Sequence, residues 1–475
     1  MSVKSNGVGQ FRELAKFIIL CLSFITTIVL LFDGDKPKTY EGLFLLPVAF
    51  FVFSIVFNNL YNHLFSNIGI TVLMILMFAR MVISPLFMGL GDYAVTISLN
   101  VKENTFKAVF LVVYEALALF VTMQVLVEKE RKKKKKGEQY CQRPIIPKRY
   151  TKLIILLLAC LLLCIAVTPE LLKAYRTILH IRDKDFTSME DSYIVSEYGT
   201  TFVTKLSLVT GMYLMRAVLI LVPAYLLIKC ARKKTPTRRI LGLFACFIPV
   251  FFIGGAIARS LIYVVCLMLL YNNMFGDGKI DMRIIGIFGI AGFAVIGWWF
   301  IRSDSTVEIF AQFSKRFSAY FSGVNVVSGS FNLPDNLSDR IRLILYDFTS
   351  TVPYGNTIFQ ITGTTVQPFF NMHNASTGQI PTTIGTAYYY FGFLFAPIYS
   401  IVFATVVVKS GIKLKAQQNP NPFRCLRLIL MVFYFSMGII MYNIEITMTN
   451  FYSLILPMYL LERLAYRRKP RRRKL

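Results

Sequence analysis

The sequence is poor in charge. Lys, Arg, Asp and Glu make up 16% of its 475 residues, whereas a typical soluble domain carries about 25%. Hydrophobic residues make up 55% and gather in stretches of roughly 17–23, the length with which a helix crosses a bilayer. These stretches are apolar on every side, which excludes the one-sided pattern of a helix packed on a soluble core. The sequence therefore predicts an all-α polytopic membrane protein.

The signatures of common soluble enzymes are also missing. There is no P-loop, no G-x-S-x-G nucleophile elbow, no H-E-x-x-H zinc motif and no dinucleotide fingerprint, so ATP-driven transport by this chain alone is not supported. The eight cysteines show no C-x-x-C or Cys/His metal spacing, and the predicted outer loops contain none of them. We therefore expect no structural zinc and no disulfide, and we predict no metal and no cofactor.

Acidic residues are few, with 25 Asp and Glu against 52 Lys and Arg. The net charge of +27 sits in short connections between apolar stretches, which marks the cytoplasmic side of a polytopic protein and argues against a nucleic-acid partner. This placement predicts that both termini are cytoplasmic, with a basic loop over 128–152 and a basic tail over 463–475 against the lipid bilayer. We predict about twelve spans, at 17–32, 42–58, 68–88, 107–127, 153–168, 207–228, 240–257, 261–275, 284–301, 385–408, 428–444 and 447–462.

In this orientation two long segments face outward, over 169–206 and 302–384. The second mixes aromatic residues with glycine and proline, so we expect an ordered segment, with amphipathic helices at the membrane interface over 311–321 and 339–348. The expected organisation is transmembrane helices 1–9 over 1–301, a large extracytoplasmic loop over 302–384 that caps the bundle, transmembrane helices 10–12 over 385–462, and the basic tail.

Charged residues inside apolar spans are costly, and each is a functional hypothesis by default. Arg259 follows paired glycines at the predicted outer face, where a fixed guanidinium suits a phosphate; the alternative is an anchor that reaches the membrane interface. Arg216 lies deep in its span and needs either an aqueous cavity or a structural ion pair. Arg80 stands mid-span with Glu115 of the next span as its partner, and a structural and a catalytic role are both open.

The end of the large outer loop, over 371–385, is dense in hydrogen-bonding side chains where the chain re-enters the membrane. His373 could act there as a general base near neutral pH, or could be a surface histidine in a polar turn. Four further residues of this region are candidates for binding a substrate, and the sequence does not rank them. They are Asp347, Arg340, Gln379 and Thr382.

Three local patterns accompany this plan of spans. They are Gly254-Gly255-Ala256-Ile257-Ala258-Arg259-Ser260, the span around Arg80 that ends in Ser84-Pro85-Leu86, and Gly378-Gln379-Ile380-Pro381-Thr382-Thr383-Ile384-Gly385 leading into Tyr388-Tyr389-Tyr390-Phe391-Gly392. Together with the twelve spans and the large late outer loop, they resemble the bacterial O-antigen polymerases, the Wzy-type oligosaccharide repeat unit polymerases.

The resemblance implies a GT-C-like fold and a metal-independent inverting glycosyltransferase. Its substrates would be polyprenyl-diphosphate-linked glycans, joined at the outer face of the bacterial cytoplasmic membrane into an O-antigen, a capsule or another exopolysaccharide. A chain-length regulator and a flippase are the implied partners. Arg216 and Arg259, with Arg80 third, would stabilise the negative charge of the departing lipid diphosphate. His373 would take the proton of the attacking hydroxyl.

Two other functions stay open. A transferase of the O-antigen ligase type shares this fold and these arginines, and it moves a finished glycan to a different acceptor. A lipid-linked oligosaccharide flippase would bury charges along a central cavity and would lack a long ordered outer loop.

Overall fold

The computed structural model describes most of the chain, and the described residues are almost entirely helical. They are residues 3–94, 104–133, 148–176, 197–231, 235–251, 253–254, 257–275, 309–321, 323–352, 355, 364–376, 379–415 and 421–466. Besides short turns and connections, these ranges contain one antiparallel pair of two-residue strands, β1 (Tyr175–Arg176) and β2 (Ile253–Gly254). The prediction of an all-α protein is confirmed.

The α-helices are numbered in chain order. They are α1 (Val3–Phe32), α2 (Leu45–Val56), α3 (Ile68–Phe78), α4 (Ser84–Leu90), α5 (Thr105–Lys133), α6 (Lys148–Val167), α7 (Phe202–Ala231), α8 (Pro236–Phe251), α9 (Ile257–Phe275), α10 (Ile309–Tyr320), α11 (Val324–Gly329), α12 (Leu337–Thr351), α13 (Val366–His373), α14 (Thr383–Phe395), α15 (Ile398–Lys415), α16 (Pro422–Ile440), α17 (Ile444–Asn450) and α18 (Leu456–Tyr466). Two π-turns, Ala79–Ile83 and Phe451–Ile455, join α3 to α4 and α17 to α18.

Eight helical stretches in the described part of the chain are long and apolar enough to cross a membrane, which is the pattern of a multi-pass membrane protein. They are Gly9–Phe32, Lys38–Val56, Ile68–Leu90, Thr105–Arg131, Tyr150–Val167, Phe202–Ala231, Pro422–Ile440 and Ile444–Leu464.

The predicted number of spans stays a prediction. The predicted span 284–301 lies outside the described residues. The predicted spans 240–257 and 261–275 correspond to α8, which has 16 residues, and to α9, whose apolar part is the short stretch Ser260–Asn272.

One predicted span is wrong in form. The stretch 385–408 is expected to cross as one helix, but α14 and α15 are bent by 105° where they meet. Gly392 adopts φ 77° and ψ −179° inside α14, a conformation that residues with a side chain avoid. Pro397, just before α15, has no N–H with which to continue the helical hydrogen bonding. Composition alone does not show this break, because both helices are apolar.

The chain divides into two compact units, each built from separated stretches. The first comprises Met1–Gly137, Gly289–Lys415 and Met431–Thr449. Within it α15 packs against α3 and α5, and α2 packs against α1 and α5. A Cβ on Gly69 of α3 would lie 2.5 Å from the carbonyl oxygen of Val407, so glycine allows α3 and α15 to approach closely.

The second unit comprises Glu138–Phe288, Ala416–Leu430 and Asn450–Leu475. Its central element is α7, against which α6, α8 and α9 pack. Arg427 of α16 forms an ion pair with Glu462 of α18, with Nη2 and Oε2 3.1 Å apart.

The described part of the predicted outer loop contains α10 to α13, all in the first unit. α10 packs on α4 through aromatic rings, since the Phe87 ring centroid lies 5.0 Å from that of Phe313 and 4.9 Å from that of Phe317. The helices predicted over 311–321 and 339–348 are confirmed as helices, and their place at a membrane interface stays a prediction. The segment and α14 share a buried cluster of Val326, Leu333, Leu343, Val366, Phe369, Phe370, Tyr389 and Tyr390.

Candidate functional site

An ion pair is buried among the apolar helices of the first unit. Nη1 of Arg80, in the π-turn after α3, lies 2.5 Å from Oε2 of Glu115 on α5, and the two side chains are 4% and 1% exposed. Ser400 of α15 donates a hydrogen bond to the other carboxylate oxygen of Glu115. The predicted pairing of Arg80 with Glu115 is confirmed, and the pair joins three helical segments.

The π-turn that holds Arg80 has a local cause. Pro85 has no N–H to donate to the carbonyl of Met81, and its ring would clash with that carbonyl in a regular helix. The helix widens over Ala79–Ile83, just before the proline, and such turns are common at functional sites.

Arg80 keeps hydrogen-bonding capacity beyond its pair. Its Nε and Nη2 are buried and have no hydrogen-bond partner among the described residues, and the same holds for the hydroxyl of Ser84. Both residues line a small cavity that Val324 of α11 also borders. A second small cavity lies on the Glu115 side of the pair. Each has room for about one water molecule, so a single oxygen atom there can accept a hydrogen bond from the arginine.

A buried carboxylate lies in the segment 302–384, which is predicted to face outward. Asp347 of α12 is 1% exposed. Its Oδ2 accepts a hydrogen bond from the Tyr390 hydroxyl at 2.6 Å, and its Oδ1 accepts one from the Val366 N–H at 3.0 Å. Burial raises the pKa of Asp347 to about 7, against the opposing effect of these two hydrogen bonds and with a further contribution from the charge of Glu445. Asp347 therefore holds α12, α13 and α14 together and can exchange a proton near neutral pH.

His373 is the last residue of α13, and its side chain is exposed. Its Nδ1 lies 2.9 Å from the carbonyl oxygen of Phe369, and its ring centroid lies 4.3 Å from that of Phe369. A carbonyl oxygen only accepts hydrogen bonds, so Nδ1 carries the hydrogen of the neutral ring and Nε2 is the basic nitrogen. An exposed basic nitrogen can accept a proton from an incoming hydroxyl.

Thr382 and Gln379 have contacts that shape the chain before α14. The Thr382 hydroxyl caps α14 by accepting a hydrogen bond from the Gly385 N–H at 2.8 Å. The Gln379 N–H donates to Oδ1 of Asn371 at 3.2 Å, and its side-chain amide donates to the carbonyl of Ile380 at 3.3 Å. A role for either residue in binding a substrate stays a prediction.

The remaining predicted arginines lie in different units. Arg340 is on α12 in the first unit, where it pairs with Asp335 at 2.6 Å. Arg216 is on α7 in the second unit; it is 8% exposed, and its guanidinium carbon lies 5.9 Å from the ring centroid of Tyr213. Arg259 belongs to the first turn of α9, also in the second unit, and its side chain lies outside the described residues.

The first unit thus contains six of the predicted residues, and it supplies partners that the sequence did not reveal. Tyr390, the donor to Asp347, and Ser400, the donor to Glu115, are polar residues in an apolar stretch. The run Tyr388-Tyr389-Tyr390 beside a polar loop is the sequence feature that indicates a polar partner in that loop, because tyrosine in a span needs a partner for its hydroxyl. Among the described residues, no three His, Cys, Asp or Glu side chains form a group that could hold a metal ion.

Comparison with known proteins gives no further assignment of this site: no family model, no curated protein and no solved structure matches the chain.

Proposed function

We propose that this protein is a membrane glycosyltransferase of the Wzy type, which joins polyprenyl-diphosphate-linked oligosaccharide repeat units into a surface polysaccharide. The observation that carries the proposal is the first unit itself. It combines apolar helices, a buried Arg80 with unused N–H donors in its described surroundings, and the helices α10–α13 that bear Asp347 and His373. The apolar helices suit the lipid tail of the substrate, the arginine donors suit its diphosphate, and helices α10–α13 suit its glycan.

The reaction needs a base and a stabilised leaving group. The hydroxyl oxygen of the acceptor glycan attacks the anomeric carbon of the donor, and the bond from that carbon to the diphosphate oxygen breaks. The lipid diphosphate leaves with the electron pair of that bond, and the hydroxyl proton passes to Nε2 of His373. Arg80 is the arginine of the first unit that can stabilise the negative charge developing on the diphosphate, and Arg216 and Arg259 of the second unit keep the same role as the resemblance implies it. Attack from the opposite face inverts the anomeric configuration.

The location of the reaction follows from charge placement. Lys and Arg in the loop 128–152 and in the tail 463–475 support the proposal that both termini are cytoplasmic, and the segment 302–384 would then face outward. The proposed protein therefore acts at the outer face of the bacterial cytoplasmic membrane. It receives repeat units from a flippase and works with a chain-length regulator.

The test is deletion of the gene in its host, followed by complementation with wild type, Arg259→Ala or the control Arg424→Ala. Arg424 is an exposed arginine of α16 between the predicted spans 385–408 and 428–444, in a connection that the predicted orientation puts on the cytoplasmic side. Surface glycan and lipid-linked intermediates are resolved on gels, and the amount of each variant in the membrane is measured by immunoblot.

We expect single repeat units in place of long polymer in the deletion strain and in Arg259→Ala, with long polymer restored by wild type and by Arg424→Ala. Complete polymer left on its lipid carrier would reassign the protein to the ligase type. Repeat units retained on the cytoplasmic side would indicate a flippase, and unchanged glycan in the deletion strain would refute the proposed function.

A further inference from the structure

A second polar cluster surrounds Tyr389 of α14 and has no role in the proposed glycosyl transfer step. Two ion pairs at the beginning of α12 form it: Arg340 with Asp335, at 2.6 Å, and Arg342 with Asp339, at 3.0 Å. The guanidinium carbon of Arg340 lies 5.5 Å from the ring centroid of Tyr389. All four charges are close enough to interact electrostatically with the Tyr389 hydroxyl.

Two hydrogen-bond donors in this cluster are unused within the described part of the chain. Tyr389 is 3% exposed, and neither its hydroxyl nor Nε of Arg340 has a hydrogen-bond partner among the described residues. A buried donor without an acceptor destabilises a fold. The two groups therefore offer hydrogen bonds to the oxygen atoms of a ligand.

The cluster can open to a ligand. The side chain of Asp335 is 87% exposed and that of Arg342 is 53% exposed. Ion pairs that are this exposed contribute little to stability, so a ligand can take the place of one partner. The Arg340 side chain lies over the ring of Tyr389 and is itself 28% exposed, so a ligand that replaces Asp335 as its partner would lie next to Tyr389.

Charge identifies the class of ligand. Two carboxylates and two guanidinium groups sum to zero, so a phosphate or diphosphate would meet repulsion from Asp335 and Asp339 along with attraction from the arginines. A sugar hydroxyl suits both signs, because it donates to a carboxylate and accepts from a guanidinium or a phenol. An aromatic ring also gives the apolar face of a sugar a surface to pack on.

We propose that Asp335, Asp339, Arg340, Arg342 and Tyr389 bind an uncharged sugar residue of the substrate glycan. This inference rests on the proposed function, since it assigns the glycan of that substrate to residues other than the arginines proposed to stabilise the diphosphate.

The experiment measures direct binding by calorimetry to the full-length protein in lipid nanodiscs. The probe is the repeat-unit oligosaccharide cut from the host's own surface polysaccharide, which carries neither lipid nor phosphate. The test variant is Tyr389→Phe, which removes the unused hydroxyl alone. The matched control is Tyr388→Phe, on the same helix beside Phe331, and inorganic pyrophosphate is the competitor.

We expect the oligosaccharide to bind wild type and Tyr388→Phe equally, to bind Tyr389→Phe about fivefold more weakly, which is the effect of one hydrogen bond, and to be unaffected by pyrophosphate. The melting temperature of Tyr389→Phe should equal or exceed that of wild type, so a folding defect cannot account for the loss. Displacement by pyrophosphate, equal affinities of the two tyrosine variants, or no binding to wild type would each overturn this proposal. The gene deletion tests the proposed function separately, through the polymer that the host makes.

Discussion

At the level of single residues, substitutions of Arg80 and Glu115 distinguish a structural role of the buried ion pair from a role in the reaction. Removal of one partner of a buried ion pair costs about 3–5 kcal/mol, because the other charge remains in an apolar surrounding, whereas replacement of both by apolar residues is often close to neutral. We expect Arg80→Ala to lower the melting temperature in detergent strongly, and the double variant Arg80→Met with Glu115→Leu to melt near wild type.

The double variant then separates the two roles of Arg80. If the folded double variant makes no polymer in the host, the Arg80–Glu115 pair takes part in the reaction; normal polymer would assign Arg80 to stability alone. Equal destabilisation in the single and the double variants would show that an unpaired buried charge is not the cause of the loss.

Asp347 makes stability depend on pH in a defined direction. Burial raises its pKa from 3.8 to about 7 in the folded protein, so between these values the folded state holds a proton that the unfolded state has lost. The contribution of Asp347 to the free energy of unfolding is therefore fully present below about pH 4. It falls as the pH rises toward 7, by at most on the order of 4 kcal/mol. Above pH 7 this contribution no longer changes.

Melting temperatures of wild type and Asp347→Asn between pH 4 and 8 test this prediction. The asparagine carries no charge, so the difference between wild type and variant should shift in favour of the variant as the pH rises. A constant difference across this range would contradict a raised pKa for Asp347.

At the scale of helices, the break between α14 and α15 depends on Gly392. Its φ of 77° and ψ of −179° belong to a region that only glycine occupies readily, although a Cβ there would meet nothing within 4 Å. We expect Gly392→Ala to cost about 1–3 kcal/mol from backbone strain alone. Gly34→Ala is the matched control, because Gly34 also has open space around its Cβ but no positive φ. Equal melting temperatures for these two variants would count against the strain.

The helices also show what the sequence can predict. Long apolar stretches such as Phe202–Ala231 and Thr105–Arg131 are recognisable because length and uniform hydropathy determine whether a segment suits a bilayer. The pairing of Arg80 with Glu115 follows from the cost of isolated charges in neighbouring spans. The break at Gly392 does not follow, because one glycine in an apolar run is compatible with a continuous helix.

At the scale of the whole molecule, the limit of sequence reasoning lies in contacts between distant segments. Tyr390 and Asp347 are separated by 43 positions, and no periodic pattern relates them, so the candidate site could be predicted as a set of residues but not as an arrangement. His373 is recognisable from its residue type, whereas the direction of its ring depends on the carbonyl of Phe369 in the same helix turn. Composition identifies the class of protein, and packing determines which polar groups meet.

The stretches of the two units alternate along the sequence, so the contacts of the first unit form at different times during synthesis. Arg80 and Glu115 are 35 positions apart, whereas Ser400 follows Glu115 by 285. During synthesis the two opposite charges can neutralise each other as soon as α5 enters the bilayer, and the hydroxyl that completes their hydrogen bonds arrives only after the stretches of the second unit up to Phe288 have been made. Because the pair forms early, the π-turn after α3 and helix α5 can stay in the lipid before α15 has been made.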